Sequence, residues 1–202
     1  MIVLYDHPRS GNCHKIRLFL SILGIDYENV LVDVLSGVNH QPWFAKINSL
    51  CQIPVITDDG FTIQDSQAIL IYLAKRYDNS WFSDDAREMG KIAEWLSFSA
   101  KEIAIGLQAS RLFYIADEGI DIAAAEREGR RCLALLDHWL SEQHWLCLDR
   151  PTIADIACFP YVALSREGKL PLDDHPHVLA WIQRIVQLEG YVPMDGLPKR
   201  IV

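Results

Sequence analysis

Pro54-Val-Ile-Thr-Asp-Asp-Gly-Phe-Thr-Ile63 is the stretch whose reading decides the first half of the fold. Two short runs rich in β-branched and aromatic residues, Pro54 to Thr57 and Phe61 to Ile63, flank Asp58-Asp-Gly60, whose turn chemistry predicts a β-hairpin. A proline cannot donate to a strand ladder, so Pro54 reads as the residue that opens the strand. Just downstream, Asp65-Ser66 can cap a helix, and Ala68 to Tyr77 is apolar almost all round, as a helix laid on a sheet would be. Upstream, Ile2-Val-Leu-Tyr5 reads as a buried strand, closed by Asp6-His-Pro8 and followed by Ser10-Gly-Asn12, a turn able to start a helix. Ile16, Phe19, Leu20 and Leu23 then recur at helical spacing until Gly24 supplies a C-terminal stop. Tyr27 to Val34 predicts a second strand, and Pro42 to Ile47 a short helix or turn.

Near residue 80 the rhythm changes. Strand signals end and three apolar stripes at helical spacing follow: Ile92, Trp95, Leu96, Ser99 and Ile103; Cys132, Leu133, Leu136, Trp139 and Leu140; Val178, Trp181, Ile182 and Ile185. Between the last two, Thr152-Ile-Ala-Asp155 predicts a capping box in which the Thr152 hydroxyl serves the Asp155 amide and the carboxylate reaches back, a structural helix start. The chain therefore divides into a β-α-β-α-β-β-α domain over residues 1–78, a linker over 79–85 and an all-helical domain over 86–202.

Composition removes several functions. With 19 Lys+Arg against 27 Asp+Glu, and no basic run, the chain lacks the charge that a phosphate backbone demands, so nucleic acid is excluded as a main partner. Half of the residues are hydrophobic, which excludes disorder as the dominant state. Residues 1–50 hold Arg9, Lys15, Arg17 and Lys46 against Asp6, Asp26, Glu28 and Asp33, so the whole charge of −8 falls after residue 50. Five scattered cysteines without a Cys-x-x-Cys spacing suggest reduced thiols rather than a disulfide framework or a zinc module. No apolar stretch approaches the length of a membrane span and the N-terminus is unlike a signal peptide, so a cytoplasmic location is expected.

Strand, helix, strand, hairpin and helix in that order, with a proline opening the third strand, is the thioredoxin-like pattern. Joined to an all-helical second domain it resembles the cytosolic glutathione transferases, of the serine-type bacterial (theta-, phi- or nu-like) kind, over essentially the whole chain. Ser10-Gly-Asn-Cys-His-Lys-Ile16, Asn48-Ser-Leu-Cys-Gln-Ile-Pro-Val55, Asp65-Ser66 and Thr152-Ile-Ala-Asp155 carry the resemblance. It implies a homodimer that binds glutathione as co-substrate, without a metal, and stabilises its thiolate for attack on an electrophile. Reduction of disulfides or peroxides on the same site is the alternative, and a non-catalytic interaction protein of the same fold is the rival from another class.

The candidate residues make chemical sense one by one. Ser10, at a helix N-terminus, lies where free amides and the helix dipole favour an anion, and its hydroxyl can donate to a thiolate. Asn12 can donate a second hydrogen bond. Cys13 competes as a nucleophile of a thiol transferase, although the first cysteine of a dithiol motif is replaced by Ser10. A cis Pro54 would turn the Ile53 backbone outward, an edge on which an extended peptide can pair, while the resemblance gives Gln52 and His40 the glycyl end. Relatives commonly carry Pro-x-Gly where this chain has Ser49-Leu50-Cys51, so the loop there is expected to differ. At Asp65-Ser66 an acid suits an ammonium, and a hydroxyl with free amides suits a carboxylate; the γ-glutamyl end of glutathione has both. Gln64 can join them. For the electrophile pocket, Trp95, Phe98, Arg111, Phe113 and Tyr114 are the candidates, with Arg111 suited to an anionic substrate.

Overall fold

A computed structural model describes residues 1–116 and 119–200; residues 117–118 and 201–202, at the end of a helical stretch and at the C-terminus of the expected second domain, lie outside the described set. Four strands, β1 (Ile2–Asp6), β2 (Tyr27–Leu31), β3 (Val55–Asp58) and β4 (Phe61–Gln64), form one sheet in the order β2-β1-β3-β4. β1 runs parallel to β2 and antiparallel to β3, with Leu4 opposite Ile56, and the hairpin pairs Val55 with Gln64. Helices α1 (Gly11–Ile22), α2 (Pro42–Ala45) and α3 (Ser66–Tyr77) complete the first half. Ile2 and Leu4 alternate inward on β1 and meet Ile16, Phe19 and Leu70 in the main core. Gly24 stands at φ +65, the left-handed stop that glycine adopts without steric cost, and its neighbour Ile25 donates back to Leu20. β2 ends at Leu31, short of the predicted Val34. Asp33 ends it, because its carboxylate accepts the amides of Leu35 and Ser36 at 3.1 and 3.3 Å and folds the chain into a local turn.

From residue 86 the described chain is helical: α4 (Ala86–Phe98), a π-helical segment (Ser99–Gln108), α5 (Ala109–Ala116), α6 (Ile122–Leu140), α7 (Ile153–Ala163) and α8 (Pro176–Val186). α4, the π segment and α5 follow without a break, capped at the start by Asp85, which accepts from Arg87 and Glu88. Gly106 lets this long helix meet α6 backbone to backbone, since a Cβ there would lie 2.7 Å from the Gly129 nitrogen. α7 is buried along its whole length and touches both α1 and α4, so it is the axis on which the two halves pack. Its capping box is present, with the Thr152 amide donating to Asp155 at 2.9 Å, and the Thr152 hydroxyl also accepts from Ala154. All residues of the first and third stripes are buried. In the second stripe Trp139 is 41% exposed, because its indole N–H reaches back to the Leu146 carbonyl and its ring lies edge-on to Trp95 at the rim rather than in the core.

The segment after α8 returns to α1. There the buried His14 donates from Nε2 to the Val192 carbonyl at 2.9 Å, while its Nδ1 has no partner. Burial pushes this imidazole down to about 4, from an ordinary value of about 6.5. Between those values the unfolded chain takes up a proton that the folded chain refuses, so stability present above the upper value falls as pH drops through the window, by up to about 3 kcal/mol. Urea unfolding followed across this window should show that loss, and His14→Gln should flatten it; an equal slope in both proteins would assign the acid sensitivity elsewhere.

Candidate functional site

The turn between β1 and α1 is held by side chains from both halves of the molecule. Arg17, nearly two helical turns inside α1, pairs with Asp6 and donates to the carbonyls of His7 and Pro8, at 3.3 and 3.1 Å for the two carbonyls. From the helical side, Arg111 on α5 donates to the Arg9 carbonyl at 3.0 Å and pairs with Glu167 at 2.5 Å. Three successive carbonyls therefore end on guanidinium groups, and Ser10 follows them as the N-cap of α1. The Ser10 oxygen accepts from the Cys13 amide at 3.2 Å, which leaves the hydroxyl proton free to be donated elsewhere.

Ser10 lines a cleft of about 520 Å³ between the sheet domain and the long helix. Asn12, Gln52, Ile53, Pro54, Asp65 and Ser66 line it too, with Gln64 beside them. The Ile53-Pro54 bond is cis, and Ile53 precedes the first ladder pair, Val55 with Gln64, so strand pairing does not consume its backbone groups. Asp65 caps α3, accepting from Gln67 and Ala68 at 3.1 and 3.0 Å, from a backbone at φ +72. A non-glycine residue held there costs about 1–3 kcal/mol, a strain that surrounding structure tolerates mostly at functional positions. Ser66 is buried, and its hydroxyl reaches Gln67 Oε1 at 2.7 Å and Asn12 Oδ1 at 3.5 Å. His40 is the exception among the predicted residues: it is exposed and does not line the cleft, whereas its neighbour Asn39 does.

Asn39 and Asn48 are residues that sequence reasoning missed. Asn39 donates to the Cys51 carbonyl and Asn48 to the Gln52 carbonyl, each at 2.8 Å, so two amides shape the loop leading to Ile53. Within this loop Cys51 stands at φ +54, a left-handed conformation that favours glycine. Asn-x-x-x-Gln before Ile-Pro was the available signal, since a buried asparagine in a loop usually ties backbone groups.

The opposite wall corrects the aromatic expectation. Ala100, Ala104 and Gln108 of the π segment and Leu112 and Ile115 of α5 face the cleft. Trp95 is in the core with Phe98 against it, and Phe113 and Tyr114 meet edge to face and do not line the cleft. Arg111 does line it, but its bonds to Glu167 and the Arg9 carbonyl make it a brace of the turn. Cys13 is fully buried beneath Ser10, outside the cleft lining, and burial pushes its thiol up to about 12; both features speak against a reactive cysteine. Among the described residues no group of His, Cys, Asp and Glu could hold a metal ion, and no helix is long and apolar enough to cross a membrane.

Comparison with known proteins places the chain among relatives of the same two-domain fold. The family model for the glutathione S-transferase N-terminal domain matches residues 1–75, and that for the C-terminal domain matches residues 94–189. The disulfide-bond oxidoreductase YfcG of Escherichia coli is 33% identical over 195 residues, covering 92% of this chain and 90% of the relative. Dichloromethane dehalogenase of Methylophilus leisingeri is 29% identical over 201 residues, 91% of this chain and 74% of the relative. The crystal structure of a glutathione S-transferase from Pseudomonas fluorescens superposes with a TM-score of 0.90 at 29% identity, covering 96% of this chain and 98% of that one.

The buried and exposed thiols separate cleanly enough to test. Cys13, Cys132, Cys147 and Cys158 are buried, and Cys51 alone among the five is partly open, on the cleft wall. Alkylation of the native protein, read by peptide mass spectrometry, should modify Cys51 and spare Cys13; prompt labelling of Cys13 would restore it as a candidate nucleophile.

Proposed function

The chain belongs to the glutathione S-transferase family, and from that premise we propose that the cleft holds glutathione extended along the Ile53 edge, with its sulfur at Ser10 and its γ-glutamyl end at Asp65 and Ser66. One observation carries this reading. A hydroxyl with a free proton at a helix N-terminus, an unpaired strand edge, and an acid beside a capped helix start open onto a single cleft, and these are the complements of a thiolate, a peptide and an amino acid. Gln52 lies at the glycyl end in this arrangement; His40 would need to move to reach it.

The chemistry follows from the placement. Ser10 Oγ accepts from the Cys13 amide and donates its proton toward the sulfur, so the thiolate is solvated by a fixed donor at the positive end of α1. Asn12 supplies a second polar group to the same turn. The thiolate then attacks an electrophilic carbon; a C–S bond forms, and the leaving group departs with the electron pair of the bond it breaks. The wall of Ala100, Ala104, Leu112 and Ile115 suits a small aliphatic electrophile, a reading in keeping with the dehalogenase relative. Attack on a disulfide sulfur instead, expelling a thiolate, uses the same first step and is the second reading, supported by the likeness to YfcG. A homodimer in the cytoplasm is part of the proposal, in keeping with the family and with five unpaired cysteines.

Calorimetric titration with reduced glutathione should show saturable binding, weakened tenfold or more, about 1.4 kcal/mol, by Asp65→Ala. Ser10→Ala should lower turnover with an activated aryl halide roughly ten- to a hundredfold, the worth of one hydrogen bond to a charged group, while Cys13→Ala stays within a factor of about two. No heat and no thermal protection at millimolar glutathione would overturn the binding site and leave the fold as an interaction module. Faster turnover of a mixed disulfide than of any alkyl or aryl halide would move the assignment to the second reading.

A further inference from the structure

Lys15 has no role in the function described so far, yet its surroundings are unusual. Its side chain is 1% exposed, in the middle of α1 where α1, α3, α7 and the π segment meet. Its ammonium donates to Ser66 Oγ at 3.4 Å and Ser99 Oγ at 3.2 Å, and stands 5.7 Å from the centre of the Tyr161 ring. All of these partners are neutral. Among the described residues no carboxylate lies within 4.0 Å of it; the charged or titratable groups facing it are Asp65 at the start of α3 and Cys158 and Tyr161 on α7. A buried cation without a counter-ion is costly, and proteins usually pair it or replace it with an apolar side chain.

The hydrogen bonds show what the cation does to its neighbours. Ser99 gives its own proton to the Ala157 carbonyl at 2.8 Å, so it can only accept from Lys15. Ser66 likewise has an oxygen lone pair taken by Lys15, which forces its single proton outward, toward Gln67, Asn12 or whatever occupies the cleft. Ser66, Asn12 and Tyr161 all line that cleft, and Ser99 lies at its edge.

We propose that Lys15 is the positioning cation of the glutathione site: it holds Ser66 as a donor to the γ-glutamyl carboxylate, and the missing counter-charge is the bound anion itself. The inference rests on the reading that glutathione occupies this cleft. Burial lowers the Lys15 ammonium to about 8. An anion placed one hydroxyl away favours the charged form, so occupancy must raise it, and binding in the alkaline range must take up a proton at Lys15.

The probe is S-methylglutathione, which carries the carboxylates but no ionisable thiol. In wild-type protein labelled with ¹³C at the lysine ε-carbons, one lysine should titrate near 8 and move upward by about one unit or more when the probe saturates the site, a tenfold change in proton affinity. Lys15→Met, close in volume and free of the buried charge, should remove that resonance, keep or raise the thermal midpoint of the empty protein, and raise the KM for glutathione tenfold or more with kcat nearly unchanged. A purely structural lysine would give the opposite pattern, with a lower midpoint and an unaltered KM. If the probe binds and no lysine resonance moves, the inference is overturned while the glutathione site stands. If the probe does not bind at all, the site assignment fails and takes this inference with it. Should Lys15→Met not fold, the wild-type titration decides alone.

Discussion

Three consecutive carbonyls, those of His7, Pro8 and Arg9, terminate on two guanidinium groups that arrive from opposite halves of the molecule, and the placement of Ser10 depends on that clamp. Arg17 belongs to the helix that Ser10 itself caps, so the turn is tied to the element it starts. Arg111 belongs to the far wall, and it is 3% exposed and held by Glu167, so the turn is tied also to the helical half. A planar guanidinium suits this work because its several fixed donors can serve a carboxylate and a carbonyl together, which a lysine could not do at one geometry. The cleft is thereby assembled from both domains at one point, and Ser10 and the helical wall opposite it cannot drift independently.

Two other buried charges mark how differently the molecule treats its ions. Asp155 is fully buried, and burial raises its carboxyl, but the amides of Leu146 and Thr152 and the indole of Trp181 donate to it at 2.9 to 3.0 Å. Those donors come from the loop before α7, the cap of α7 and the middle of α8, so a single carboxylate closes the bundle. Its donors are sufficient and its charge needs nothing more. Lys15 is equally deep, yet its oxygens belong to hydroxyls, one of which opens onto the cleft. The first ion is satisfied by donors of the fold; the second meets only neutral hydroxyls and an aromatic ring, the feature from which its proposed role is argued.

Legibility in the sequence follows the range over which each feature is determined. The hairpin turn at Asp58-Asp-Gly60, the stop at Gly24 and the caps at Ser10, Asp65 and Thr152 are set by a residue and its neighbours within four positions, and the structure has them where the pattern placed them. β2 was overextended because alternation continued past Asp33, whose side chain ended the strand by a local turn. The helical wall of the cleft was invisible for a different reason. A wheel of 3.6 residues projected from Ile92 assumes an unbroken α-helix, whereas Ser99 to Gln108 winds as a π-helix and turns everything beyond it to a new face. Phe113 and Tyr114 rotate out of the cleft, and alanines, which carry no chemical signature, rotate in. Lys15 was counted only as one charge in a balanced segment, since nothing in a sequence says that a lysine is buried until the helix packed over it is known.

The arrangement around α1 also gives the proposed use of a ligand's sulfur, rather than that of Cys13, a physical reason. The first turn of a helix offers few free amides, and here the amide of Cys13 is spent on Ser10 Oγ. That bond orients the serine proton outward and directs the cysteine side chain inward, where burial keeps it as a thiol. A protein thiolate at position 13 would need that space rehydrated and the N-cap broken, at a cost of about 1 kcal/mol for the cap alone. A thiolate delivered from the cleft needs neither, because it meets the outward proton and the positive end of the helix from the solvent side. The same cap that starts the helix therefore keeps the Cys13 sulfur inside, and under the proposed function the reacting sulfur is the one that arrives with the ligand.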